Sequence, residues 1–216
     1  MSIVTLPNIG SGSDPATINV SVLNGKVDPL ATDYNGNIQN VNIAADAAIV
    51  ASKLDLSTVT LTTVSLGGVL TFGENSELKL DAALSADGKY CGITEAGTAG
   101  ATLAFGDICY LAAADSRWEL ADSSAASTSG DVKLGICVLA AAADASATVM
   151  LLWGKVRADA VFPTFTISAP VHVGETAGDV VVAAPTTTDS VTRRVGFANT
   201  ADELFFCPSN DYYTHT

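Results

Sequence analysis

Hydrophobic and polar positions change rhythm twice along the chain. Through residue 42 the apolar positions are short and isolated. Turn formers punctuate them: Pro7, Gly10, Gly12, Asp14-Pro15, Asn24-Gly25, Asp28-Pro29 and Asn35-Gly36. Only residues 16–22 alternate, and they read as one strand. Such a segment cannot build a core of its own. Yet Ile3, Val4, Leu6, Ile9, Val20, Val22 and Leu23 are not solvating residues. The arm is therefore expected to dock on a neighbouring subunit or a larger body. Residues 43–54 then switch to a helical period, with Ile43, Ala47, Val50 and Leu54 on one stripe. Asn42 suits the N-cap, Asp46 sits in the first turn, and Lys53 lies near the far end with the matching sign. About three turns is too short to stand alone in water, so this helix also needs a partner surface. The arm residues Ile3, Leu6, Ile9, Val20 and Val22 and the helix residues Ile43, Ala47, Val50 and Leu54 are the expected contact positions.

From residue 55 to 80 apolar residues alternate again, through Leu56, Val59, Leu61, Val64 and Leu66, with Gly67-Gly68 as a break. Short strands with no room to fold back predict a β-ribbon wound about an axis. From about residue 81 turn signals recur at regular intervals, among them Asp87-Gly88, Gly106-Asp107, residues 123–130 and residues 185–190. No helical period lies between them, which predicts a β-sandwich or barrel. The chain thus divides into an extended arm (1–42), a short helix and ribbon stem (43–80) and a mainly β domain (81–216).

Within that domain one pattern occurs twice, over about 106–154 and 169–208. Ala121 answers to Ala183 and Gly135 to Gly196 at nearly one offset. Val149 answers to Leu204 at a shorter one, because the alanine-rich loop 140–147 is longer than 199–203. A register kept over three strands and broken at a loop predicts an internal duplication.

Composition narrows what such a chain does. Charged residues are 15% of the 216, and the net charge is −13. The densest basic spot is Arg193-Arg194. Nucleic acid requires a basic stripe, and an anionic membrane favours the same sign, so neither is an expected partner. No apolar run approaches the roughly 20 residues of a membrane span, and residues 2–5 lack the basic start of a signal peptide. A surface poor in charge and rich in Ser, Thr, Asn, Gly and Ala suits burial against copies of the same chain or on a particle.

Chemistry-bearing motifs are sparse. Cys91, Cys109, Cys137 and Cys207 show no C-x-x-C spacing, and the histidines are His172 and His215 alone. Cys109, Cys137 and Cys207 lie among apolar neighbours and read as small core residues. No nucleophile elbow, phosphate loop, dinucleotide fingerprint or zinc-protease motif occurs. His172, on an apolar strand, could pair with a serine and an aspartate only through the fold. Asp107, Glu119, Asp122, Glu175 and Asp179 could supply paired carboxylates for glycan cleavage, but strand-end aspartates are usually turn formers. Trp118 and Trp153 read as core or interface anchors. No cofactor, metal or catalytic residue is expected.

The run Asn35-Gly36-Asn37-Ile38-Gln39-Asn40-Val41-Asn42-Ile43, followed by Ala47-Ala48-Ile49-Val50-Ala51-Ser52-Lys53-Leu54, resembles a segment near the start of many bacteriophage fibre proteins. Gly106-Asp107-Ile108-Cys109-Tyr110, Leu134-Gly135-Ile136 and Thr148-Val149-Met150-Leu151-Leu152 resemble the small β-domains of phage capsid-decoration and head-fibre proteins, with Cys109 and Cys137 in place of the usual Val and Ala. The resemblance implies a homotrimer about a threefold axis. It also implies a non-enzymatic virion protein, made in the bacterial cytoplasm and anchored by its arm to the major capsid protein or another virion protein. Two other readings share the residues: a tail fibre whose β-domain binds host-surface glycan, and a glycan-cleaving enzyme.

Overall fold

The computed structural model describes residues 67–216. The expected helix 43–54 and the contact positions Ile3, Leu6, Ile9, Val20, Val22, Ile43, Ala47, Val50 and Leu54 lie outside the described residues.

Ten strands carry the described chain. They are β1 (Lys89–Thr98), β2 (Ile108–Leu111), β3 (Trp118–Leu120), β4 (Leu134–Leu139), β5 (Ala147–Arg157), β6 (Pro170–Val173), β7 (Val180–Val181), β8 (Val191–Ala198), β9 (Glu203–Phe206) and β10 (Tyr212–Thr214). Among the described residues the helix content is one four-residue turn, α1 (Ala126–Ser129). The fold is mainly β, as the turn spacing predicts, and its antiparallel sheet curls into a half-barrel.

The sheet runs β3-β2-β4-β5-β9-β8-β6-β7, with β1 added on β5 and β10 on β8. β5 is its spine. β1 pairs with β5 from Ala147 to Arg157. The other edge of β5 is shared, with β4 opposite Val149 to Leu151 and β9 opposite Gly154 to Arg157. Two leaves therefore leave one edge of β5 in succession, β4-β2-β3 and β9-β8-β6-β7.

The ladder register is matched between β2–β5 and β6–β9, although the matched side chains enter different cores. Cys109 faces Gly135 across β2 and β4, and Val171 faces Gly196 across β6 and β8. Tyr110 faces Glu119 in the β2–β3 hairpin, and His172 faces Val181 in the β6–β7 hairpin. In the last ladder Leu204 takes the place of Met150, one residue from Val149. Both are fully buried, whereas Val149 is half-buried.

Side chains alternate across each leaf and fill two cores. Ile108, Ile136, Leu151, Val156, Val171, Val195, Leu204 and Phe206 point between the leaves, with Phe162 and Phe165 closing that core. Cys109, Cys137, Met150 and Trp118 point to the opposite face of β2-β4-β5, where Ala99 and Leu103 cover them. β4 is thus apolar on both faces, which is why Leu134-Gly135-Ile136-Cys137-Val138 reads as an unbroken apolar run. Each fully buried aliphatic side chain contributes roughly 1.5–3 kcal/mol.

The ribbon expected over 55–80 meets a different outcome in its described part. Residues 67–80 contain no strand and one turn, closed by Ser76 N–H on the Gly73 carbonyl at 3.2 Å. Beyond that turn, the backbone there joins no strand ladder among the described residues. Val69 is 90% exposed and Leu78 74% exposed, so their side chains stand in water.

Candidate interaction surface

The segment entering the domain is clasped to the outer face of β5 and β9. β5 alternates, so Trp153, Lys155 and Arg157 share one face. Lys155 Nζ donates to the carbonyls of Asp81 (2.5 Å) and Ala82 (2.8 Å). Arg157 Nη1 donates to the Leu84 carbonyl at 3.3 Å. The Leu84 N–H donates to Glu203 Oε2 at 2.7 Å. Glu203 begins β9 opposite Arg157, is 1% exposed, and has Lys155 Nζ 3.9 Å from its other oxygen. Asp159 N–H donates to Asp87 Oδ1 at 2.8 Å, and Gly88 N–H to the Arg157 carbonyl at 3.0 Å. Arg157 also holds Asp159 through hydrogen bonds, which lower the Asp159 pKa and raise its own.

Beside the clasp an apolar row crosses four strands. Ile93 on β1 faces Trp153 on β5. The Trp153 ring meets Phe205 edge to face, with centroids 5.1 Å apart. Phe205 faces both Lys155 and Phe197 across its two ladders. Arg194 lies over the Phe197 ring at 4.9 Å, in cation–π geometry. Ile93 is 57% exposed, Trp153 41% and Phe197 38%. Trp153 is thus a surface anchor, whereas Trp118 is buried in the second core.

The carboxylates singled out from sequence are only partly brought together. Asp107 and Asp179 are neighbours, with Gly178 packed against the Asp107 carboxyl. Burial raises the Asp107 pKa, the Ala104 N–H bonded to it at 2.7 Å opposes this, and the Asp179 charge adds to the rise. Asp122 accepts from the Ser124 N–H at 2.8 Å, in a turn. Glu175 accepts from the Thr187 N–H at 3.1 Å, and that residue's hydrogen bonds lower its pKa. Glu119 stands on edge strand β3 across from Tyr110. His172 has a buried Nδ1 with no partner. Burial, then the Arg194 charge, depresses its pKa.

Among the described residues no cluster of three or more His, Cys, Asp or Glu is placed to hold a metal ion. All four cysteines are free, with Cys109 and Cys137 fully buried as core residues and Cys91 and Cys207 half-buried. Among the described residues no helix is long and apolar enough to cross a membrane.

Two features escape sequence reasoning. One is the Glu203 clasp, because nothing local marks that glutamate as buried. The other is Arg193, 5% exposed. Its guanidinium donates to the carbonyls of Ser129 (3.1 Å), Gly130, Val132 (2.8 Å) and Ser209 (2.7 Å). It staples α1 and the C-terminal segment to β8 beside a groove of about 440 Å³ lined in part by Leu134, Leu152 and Pro208. The pair Arg193-Arg194 is visible as the densest basic spot, but not its division between a buried staple and a surface cation.

The chain matches no protein-family model and no curated protein.

Proposed function

We propose that this chain is a non-enzymatic structural protein of a tailed-bacteriophage virion, a trimeric capsid-decoration or head-fibre protein anchored by its N-terminal arm. The observation that carries the reading is exposed apolar chain leading into an otherwise well-packed domain. Val69, Leu70, Phe72 and Leu78 are all more than half exposed, with Val69 at 90%. Leaving four large apolar side chains in water costs several kcal/mol, at roughly 1.5–3 kcal/mol each. Closed cyclic symmetry removes that cost by supplying the same segment from sister copies. The clasp of Lys155, Arg157 and Glu203 holds Asp81, Ala82 and Leu84 on the domain. The matched ladders of the two leaves support a second element of the reading, that the domain arose by duplication of a four-strand unit.

The test is binding of the full chain to emptied, expanded capsids. A fixed stoichiometry on the particle supports the reading, and loss of attachment on deletion of residues 1–42 supports the arm as anchor. No affinity for any capsid overturns it.

A further inference from the structure

We infer that the outer face of β1, β5, β9 and β8 is the surface on which a second copy of this chain docks. The inference deepens the self-assembling reading and rests on it. The face has an apolar centre, with Ile93, Trp153, Phe205 and Phe197 in continuous contact or register across four strands. Isolated exposed apolar residues are ordinary, but a contiguous row with aromatic anchors is the composition of an interface centre.

Position identifies the occupant. The incoming segment is fastened to this same face, since Lys155, which binds the Asp81 and Ala82 carbonyls, is two residues from Trp153 and opposite Phe205. Where several such segments gather about one axis, the face each is fastened to lies beside that axis. The row is thereby presented to sister domains.

Charge and hydrogen bonding point the same way. Lys89 and Arg194 flank the row and make no ion pair among the described residues. The rest of a chain with net charge −13 is an acidic partner for them. β1 pairs on one side only among the described residues, with β5, and its ten residues contain no proline. That edge offers unpaired backbone groups to a neighbouring chain on either side of the register shift between Ile93 and Thr94.

The full chain carries its own probe, because it has two tryptophans, Trp118 at 1% exposure and Trp153 at 41%. Acrylamide quenching of the full chain, read beside sedimentation mass, follows Trp153 alone. On assembly the Trp153 quenching constant is expected to fall several-fold. In Ile93→Asp and Phe197→Glu, both at exposed positions, assembly should weaken at least tenfold, while an unquenched Trp118 reports that the domain remains folded. If the chain assembles with Trp153 still freely quenched and both variants assemble as the parent does, the interface lies elsewhere and the inference fails, although the self-assembling reading stands. If the chain is a monomer at every concentration, the reading fails and the inference with it. Shielding of Trp153 by added host glycan, without a change of mass, also overturns the inference and makes the face a ligand platform.

Discussion

Gly92 and Gly154 face each other across β1 and β5, so close that neither strand has room for a side chain. A Cβ on Gly92 would lie 2.1 Å from the Trp153 carbonyl oxygen, and one on Gly154 would lie 2.2 Å from that of Cys91. Both have positive φ, 151° and 138°. They mark the point where the edge of β5 opposite β1 passes from β4 to β9. Gly92→Ala and Gly154→Ala should each destabilise the protein by at least about 2 kcal/mol in urea unfolding. The double variant should cost less than the two combined, because both break one contact. Gly88, with φ of 68° and open space around it, should accept asparagine at a cost below about 1 kcal/mol.

The Glu203 clasp sets the second prediction. Glu203→Ala leaves the Leu84 N–H without its acceptor and Lys155 without its neighbouring carboxylate in a nearly closed site. The loss is expected at about 2–3 kcal/mol. Limited proteolysis distinguishes this from a general weakening: cleavage within 72–86 should precede any cut in β5 or β9. Simultaneous loss of both regions would contradict the assigned role.

His172 sets a pH dependence. Its folded pKa lies below the ordinary 6.5, through burial and then the Arg194 charge. The unfolded chain therefore takes up the proton first as pH falls. The stability present above pH 6.5 is lost as pH drops through that value toward the folded pKa. His172→Gln should lose less stability than the parent over that window in thermal melts. Equal losses would show that the imidazole does not contribute.

Thiol reactivity checks the cores. Burial pushes the Cys109 and Cys137 pKa values up, and both side chains are fully enclosed. Native protein at pH 8 should leave both unlabelled by a thiol reagent until it is unfolded. Rapid native labelling of either would mean that the second core opens.

Much of the sheet is legible in the sequence because its strands have one or both faces buried. β2, β4, β5, β6, β8 and β9 show as apolar or alternating runs between turn residues. Gly135 and Gly196, which the sequence pattern matches to each other, both lack space: a Cβ would meet Met150 and Trp118 in one case and the Phe205 carbonyl in the other. The stem ribbon is different. Val69, Leu70, Phe72 and Leu78 carry the alternation, but a strand needs a second strand, and none is present among the described residues. At the C-terminal end of the sheet, Tyr212–Thr214 pairs with β8. Polar Tyr-Tyr-Thr gives no apolar pattern from which to foresee that ladder. The buried roles of Glu203 and Arg193 depend on partners far away in sequence, with Leu84 and Ser129 to Val132, so no local spacing encodes them.

Sedimentation equilibrium of the full chain over a wide concentration range tests self-completion most directly. One chain is 22.0 kDa. The account predicts a single species of three times that mass, persisting on dilution. A stable species of one chain mass at all concentrations would contradict it.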